Sequence, residues 1–305
     1  MKNFPGTDLF RTLCWIAAIA PIALLGWIIV EITSQALPSI KTFGLHFIFN
    51  AQWNPNTHQY GILAFLVGTA ISSSIALLIA LPLGIAIAIT LSENFLPLPL
   101  RQVIRFIVEL LAAIPSVVYG LWGIAVVVPL IQHSGQWLSA YLGFMPIFRG
   151  PAFGNSMLTA SLVLALMVLP TITAISRTAL VSVPRTLREG AYALGATRWE
   201  AILGVILPTT RPAIVAATIL AFGRAMGETM AVAMLIGNSA RLTFSLLSPA
   251  GTLAGLLANQ FAEAEGLQIS SLMYAALLLM LLTLLVNIAG QIILKHTQST
   301  TVGTR

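Results

Sequence analysis

Between His58 and Glu93 the chain carries no Asp, Glu, Lys or Arg. Bilayer hydrocarbon is about 30 Å thick and a helix rises ~1.5 Å per residue, so about 20 apolar residues cross it. Stretches of this kind recur along the sequence at Thr12 to Thr33, Gly61 to Leu91, Val103 to Ile131, Asn155 to Ser176, Ala213 to Gly237 and Ser271 to Leu294. Hydrophobic residues make up 58% of the chain and charged residues 8%, against about 25% charged in a soluble domain. The expected fold class is therefore an all-α polytopic membrane protein with six transmembrane helices in one membrane domain.

The charges that remain orient the spans, because Lys and Arg are enriched in short cytoplasmic loops. With the N-terminus inside, Lys2, Arg11, Arg101, Arg105, Arg177, Arg185, Arg188, Arg198, Arg211, Lys295 and Arg305 all fall inside, whereas Lys41, Arg149 and Arg241 fall outside. Splitting the stretch from Gly61 to Leu91 into two spans would place Arg101 and Arg105 outside. One long helix kinked at Pro82 is the better reading. Both termini are then cytoplasmic. The organisation is an N-terminal anchor with a first outer loop over 1–60, a transmembrane domain over 61–295 containing a cytoplasmic loop over 177–211, and a cytoplasmic tail over 296–305. The first span is read as an uncleaved anchor, since no small-residue cleavage site follows it. Outer loops from Ser34 to Tyr60 and from Gln132 to Gly154 either receive an external partner or cap the bundle. A lone Cys14 excludes an intrachain disulfide. The net charge of +6 is spread singly between apolar segments, which does not describe a nucleic-acid surface.

The cytoplasmic loop reads VPRTLREGAYALGATRWEAILGVIL from Val183 to Leu207. Pro184 suits a first helical turn, and Gly195 suits the left-handed residue after a helix end. Thr197 and Glu200 form a T-x-x-E capping box that starts a second helix. Its Trp199, Ile202, Leu203 and Ile206 follow the spacing of one helical face, and Pro208 and Pro212 are expected to end it before the fifth span. The residues alone leave open an amphipathic hairpin lying on headgroups and a hairpin that meets another protein.

Glu189, Ala191, Gly195, Leu207 and Pro208 stand at the spacing of the EAA loop, and here the chain resembles the binding-protein-dependent ATP-binding-cassette permeases. Gly190 replaces the second residue of that pattern and Val205 its Ile. The resemblance implies a MetI-like type I importer fold, and a loop that seats in a cleft of a separate ATPase through Arg185, Glu189, Ala191, Gly195, Leu207 and Pro208. The chain contains no G-x-x-x-x-G-K-[ST] phosphate cradle. No cofactor is expected in this chain, and ATP and Mg are expected on the partner ATPase.

The fifth span contains GRAMGETMAVAMLIGN at 223–238. Gly223 and Gly227 form a G-x-x-x-G that permits close helix approach. Arg224 and Glu228, four apart, are expected on one helical face within ion-pair reach. A charge mid-span costs about 2.5–3.5 kcal/mol even on the lenient insertion scale. One reading is a neutralised pair that fastens helices. The other is an anion path in which Arg224 meets the solute, Glu228 holds the arginine, and Thr229 adjoins them, since a guanidinium suits a tetrahedral oxyanion by bidentate bonding. Glu109, four residues past Arg105, reads as its local ion-pair partner.

VELLAAIPSVVYGLWG at 108–123, GPAFG at 150–154 and GRAMGETMAV at 223–232 resemble the permeases of phosphate-specific importers, of the PstC type, from the first outer loop to the sixth span. The resemblance implies a paralogous PstA-type permease, a PstB-type ATPase dimer and an external PstS-type phosphate-binding protein as partners, in the bacterial inner membrane. Its matching path residues are Arg224 and Glu228. Molybdate or sulfate is the rival solute. A secondary transporter is the rival class and would leave Glu189 to Pro208 without a role. His46, His58, His133 and His296 are scattered, and no H-E-x-x-H or G-x-S-x-G occurs, so no catalytic constellation emerges.

Overall fold

A computed structural model describes residues 5–93 and 95–302. Lys2 and Arg305, assigned to the inside above, lie outside the described residues. Among the described residues, six helices are long and apolar enough to cross a membrane. The first, α1 (Pro5–Phe43), runs ten residues past the expected Thr33, so Ser34 to Phe43 is helix and not loop. Polar groups in this extension are satisfied along the helix and across it. Gln35 bonds Glu31, the backbone N–H of Ser39 donates to Ser270 Oγ at 2.9 Å, and Ser39 Oγ meets Ser271 Oγ at 2.7 Å.

The shortened outer loop holds α2 (His46–Phe49) and a 3-10 turn at Pro55–Thr57 capped by Asn54. It folds into an aromatic cluster. Phe47 stacks on Tyr274 at 4.6 Å, Trp53 meets Tyr60 and Phe65 edge-on, and the Trp53 indole donates to Gln260 at 2.7 Å. Burial pushes the Tyr60 phenol above its ordinary pKa.

The second span is one helix, α3 (Leu63–Ser92), with Pro82 inside it. The third departs from expectation. Residues 98–113 form a separate amphipathic helix, α4 (Leu98–Ala113), and the crossing begins only at α5 (Ser116–Trp122) and continues as α6 (Val128–Leu142). Pro115 is the cause, because a proline pushes the residue before it out of the helical region, and Ile114 is extended with ψ 126°. Arg105 and Glu109 pair at 2.7 Å on exposed α4, as the spacing indicates. The loop expected from Gln132 is helical to Leu142, followed by a 3-10 turn at Pro146–Phe148.

The fourth span, α7 (Met157–Ser182), is the most buried of the six. After it come α8 (Arg185–Ala193), α9 (Arg198–Ala201), α10 (Leu207–Gly227), α11 (Met230–Leu235), α12 (Leu253–Gln260) and α13 (Leu267–Val302). The helix α13 carries the chain to Val302, so most of the segment expected as a tail is helical.

Wide π turns join α5 to α6 at Gly123–Val127 and α9 to α10 at Ile202–Ile206. Each precedes a proline, Pro129 or Pro208. A proline ring collides with the carbonyl four residues back, which lies inside the widened turn in both cases. The wider turn lets the helix continue past the proline. Hence Pro208 and Pro212 do not end the loop's second helix, which runs unbroken into the fifth span.

The core forms where α3 packs along α7 and α10 closes over both. Gly84 makes the first contact possible: a Cβ there would stand 2.8 Å from Ile172 Cγ2. The helix α1 packs on α13 and leaves Trp15, Ile22 and Trp27 exposed, the surface a bilayer accepts.

Candidate functional site

Two places carry the residues singled out by the sequence. The first is the helical hairpin between α7 and α10. Pro184 sits at the N-cap of α8, one position earlier than a first-turn residue, with ψ 138°. At the other end the chain makes a full Schellman closure. Gly195 is left-handed at φ +86°, its N–H bonds the Tyr192 carbonyl, and the Ala196 N–H bonds the Ala191 carbonyl. Thr197 and Glu200 then form the capping box at both of its bonds. Arg185 and Glu189 are exposed on α8, Ala191 is buried, Leu207 is half-buried and Pro208 exposed. The apolar face of the second helix is narrower than its spacing implies. Ile202 and Ile206 are buried against Ala88, Leu180 and Val183, while Trp199 and Leu203 are more than half exposed. The π turn shifts the helical register between them.

Arg188 and Glu93 were not singled out by spacing, yet they hold the hairpin to the membrane domain. The Arg188 guanidinium donates through Nη1 to Glu93 and through Nη2 to the Leu180 carbonyl at 2.6 Å. Phe95 stacks on Trp199 at 5.1 Å beside them. The only sequence signal was that Glu93 ends the long uncharged run.

The second place is the end of α10. The expected pairing of Arg224 with Glu228 requires a continuous helix, and the helix stops at Gly227. Glu228 is extended at ψ 127°, Thr229 stands at the N-cap position of α11 without a side-chain capping bond, and the chain is helical again only from Met230. Ion pairs among the described residues join Arg105 to Glu109 and Arg188 to Glu93, and none joins Arg224 to Glu228. Arg224 is exposed and donates to Thr171 Oγ1 on α7 at 3.5 Å, at the outer limit of a hydrogen bond. Glu228 and Thr229 are half-buried, and the Thr229 hydroxyl donates to the Gly227 carbonyl at 3.1 Å. The two glycines also part company. A Cβ on Gly223 would lie 3.0 Å from Asn287 Oδ1 of α13, whereas nothing lies within 4 Å at Gly227. Close packing therefore belongs to Gly223, and Gly227 stands at an open break.

A parallel break precedes α5 at Pro115. Gly120 and Gly123 let α5 lie against α11, with Ala231 Cα at 3.4 Å and Leu235 Cδ1 at 2.8 Å from the positions a Cβ would take. The break before the third crossing and the break that ends α10 are thus followed by helices that pack together, α5 and α11. Unwound backbone within a membrane protein is tolerated where protein or a water-filled cavity covers it, and breaks of this kind are used by transporters to form solute sites.

Residues 80–299 match the family described as binding-protein-dependent transport system inner membrane component. The phosphate transport system permease protein PstC of Mesorhizobium japonicum is 43% identical over 293 residues, covering 94% of this chain and 89% of that protein. Its namesake from Haemophilus influenzae is 42% identical and covers 96% of this chain and 94% of that protein. Among solved structures, a chain of a bacterial importer of the acidic polysaccharide alginate superposes with a TM-score of 0.59 at 18% identity, covering 95% of this chain and 98% of that one. A chain of the inward-facing MetNI methionine transporter superposes with a TM-score of 0.56 at 20% identity, covering 78% and 94%. At these identities the structural likeness is one of fold.

Proposed function

The chain belongs to the family of binding-protein-dependent transport system inner membrane components, and from that membership we propose that it is the PstC-type permease subunit of an ATP-driven phosphate importer. The observation that carries the solute is Arg224, an exposed guanidinium in the last turn of the membrane-spanning α10 with no carboxylate paired to it among the described residues. A cation within a membrane span is costly unless an anion answers it, and a phosphate oxyanion accepts two parallel bonds from the guanidinium fork. The near full-length relatives named for phosphate transport support phosphate over molybdate or sulfate. Glu228 and Thr229, on the unwound segment beside it, complete the path in this reading.

The partners follow from the family. A binding-protein-dependent permease works with an ATPase and a binding protein, and here these are of the PstB and PstS types, with a PstA-type permease opposite. ATP and Mg reside on the ATPase dimer, and this chain contributes no catalytic residue. In this reading the hairpin α8–α9 faces the ATPase, and that end of the molecule and both termini are cytoplasmic. Nucleotide-driven closure of the motor displaces the hairpin, and the permease pair opens outward to take phosphate from the binding protein. The test is uptake by the reconstituted complex, competed by sulfate and molybdate. ATP-dependent accumulation of phosphate that neither competitor suppresses is the expected result, and preferential accumulation of either competitor overturns the assignment.

Gly195→Val tests the docking surface. No atom lies within 4 Å of the Cβ it would add, so any effect comes from the backbone, which a left-handed residue with a side chain strains by about 1–2 kcal/mol. The Schellman closure then opens and α9 is misdirected. The variant is expected to insert in the membrane normally and to lose copurification with the ATPase. Retention of the ATPase at native stoichiometry would show that the turn does not shape the contact.

A further inference from the structure

The hairpin α8–α9 is tied covalently to α7 and α10, and side chains attach it to the end of α3 as well. Glu93 is the C-cap of α3, and its own N–H closes onto Ile89. Leu180 lies in the last turn of α7, where four carbonyls lack helical partners. One guanidinium, Arg188, therefore grips the cytoplasmic ends of two helices at once, a carboxylate on α3 and a carbonyl on α7. Cations are favoured at helix C-termini by the dipole. The arginine and glutamate side chains are only 18% and 13% exposed, so removing either leaves the other charge poorly solvated. Two residues after Glu93, Phe95 stacks on Trp199, which fastens α9 to the same end of α3. Glu93, Phe95 and Arg188 line one cleft of about 520 Å³ together with Tyr192 and Arg198 on the hairpin.

Without this clamp, α8 would be held by the extended Val183–Pro184 link and by its turn into α9, where Ile202 and Ile206 pack on Ala88, Leu180 and Val183, and its own tie to α3 would be lost. With it, a displacement of α8 must carry α3 and α7 together. Those two helices form the core on which α10 rests, and α7 bears the Thr171 that Arg224 touches. We propose that Glu93 and Arg188 are positioning residues for energy coupling: they convert movement of the motor-facing hairpin into joint movement of α3 and α7 toward the Arg224 path. This rests on the transport reading above.

The test measures ATP hydrolysis and phosphate uptake in the same proteoliposomes containing the whole complex. Glu93→Gln and Arg188→Gln are expected to assemble and hydrolyse ATP while the ATP consumed per phosphate imported rises roughly fivefold or more, the low end of coupling between sites. A second variant keeps the question answerable if these assemble poorly. Glu93→Cys with Arg188→Cys, in a Cys14→Ser background, is bridged by a short bis-methanethiosulfonate reagent and released by reductant. Bridging is expected to restore the native ratio and release to lose it in one assembled protein. A ratio that stays native in the Gln variants, activities that fall in proportion to the amount of complex, or a bridged form no better coupled than the released one overturns the proposal alone. A native complex that imports no phosphate removes the transport reading and the proposal with it.

Discussion

Replacing Arg224 by Gln is expected to abolish phosphate uptake while the complex still assembles. The guanidinium supplies little to the fold, since its one protein bond, to Thr171, is 3.5 Å long and exposed. Removing an unpaired charge from a membrane-spanning helix relieves a cost that reaches about 2.5–3.5 kcal/mol at the helix centre, so stability should hold or rise. The loss falls on the solute. Two charge-assisted bonds to an oxyanion, each worth about 1.5–3 kcal/mol, correspond to a fall in uptake of at least about 100-fold. Arg224→Lys keeps the charge but not the planar fork, and should lie between the two. The measurement is phosphate accumulation in proteoliposomes alongside copurification of the partner subunits. Native uptake by the Gln variant would take Arg224 out of the path.

That expectation survived a change in geometry which the sequence did not disclose. Arg224 and Glu228 are four apart, and four apart means one face only while the helix lasts. Gly227 follows Gly223 at the packing interval, and that interval alone does not separate a packing glycine from a helix end. The structure uses Gly223 against Asn287 and leaves Gly227 at the end of α10. A periodic pattern reports which side chains share a face; it does not report where hydrogen bonding stops. The same limit explains α4. Pro115 was in plain sight, yet the apolar window ran across it, and only the extended Ile114 divides the amphipathic α4 from the crossing.

The hairpin was more legible because its signals are local. Gly195 and the Thr197–Glu200 box act within four residues of themselves, and both form as the residues indicate. What closes the hairpin onto the membrane domain was not legible. Arg188 meets Glu93 across 95 positions of sequence, and no spacing rule links them. The π turn at Ile202–Ile206 likewise has no local sequence signal beyond the proline that follows it. A proline after an apolar face reads as a stop, and only the widened turn shows that the helix passes it.

Gly68→Ala is expected to be strongly disruptive, and Gly190→Ala to do the reverse. A Cβ on Gly68 would stand 2.1 Å from the carbonyl oxygen of Gly251. That neighbour is backbone, so no rotamer change relieves the collision. Gly251 cannot retreat freely, because a bond from the Leu253 N–H to Thr69 Oγ1 at 2.9 Å fastens the next stretch of the same loop to α3. The loop must therefore shift and strip that buried N–H of its partner. Overpacking costs about 1–3 kcal/mol and an unsatisfied buried donor a further ~1–3 kcal/mol, so the variant should unfold well below the native temperature in detergent. Gly190 lies inside α8 with nothing within 4 Å, and alanine there should firm the helix by up to about 1 kcal/mol. The pair separates a glycine required by close backbone approach from one that merely weakens its helix. Equal melting temperatures for the native protein and Gly68→Ala would mean that the loop at Gly251 yields without cost.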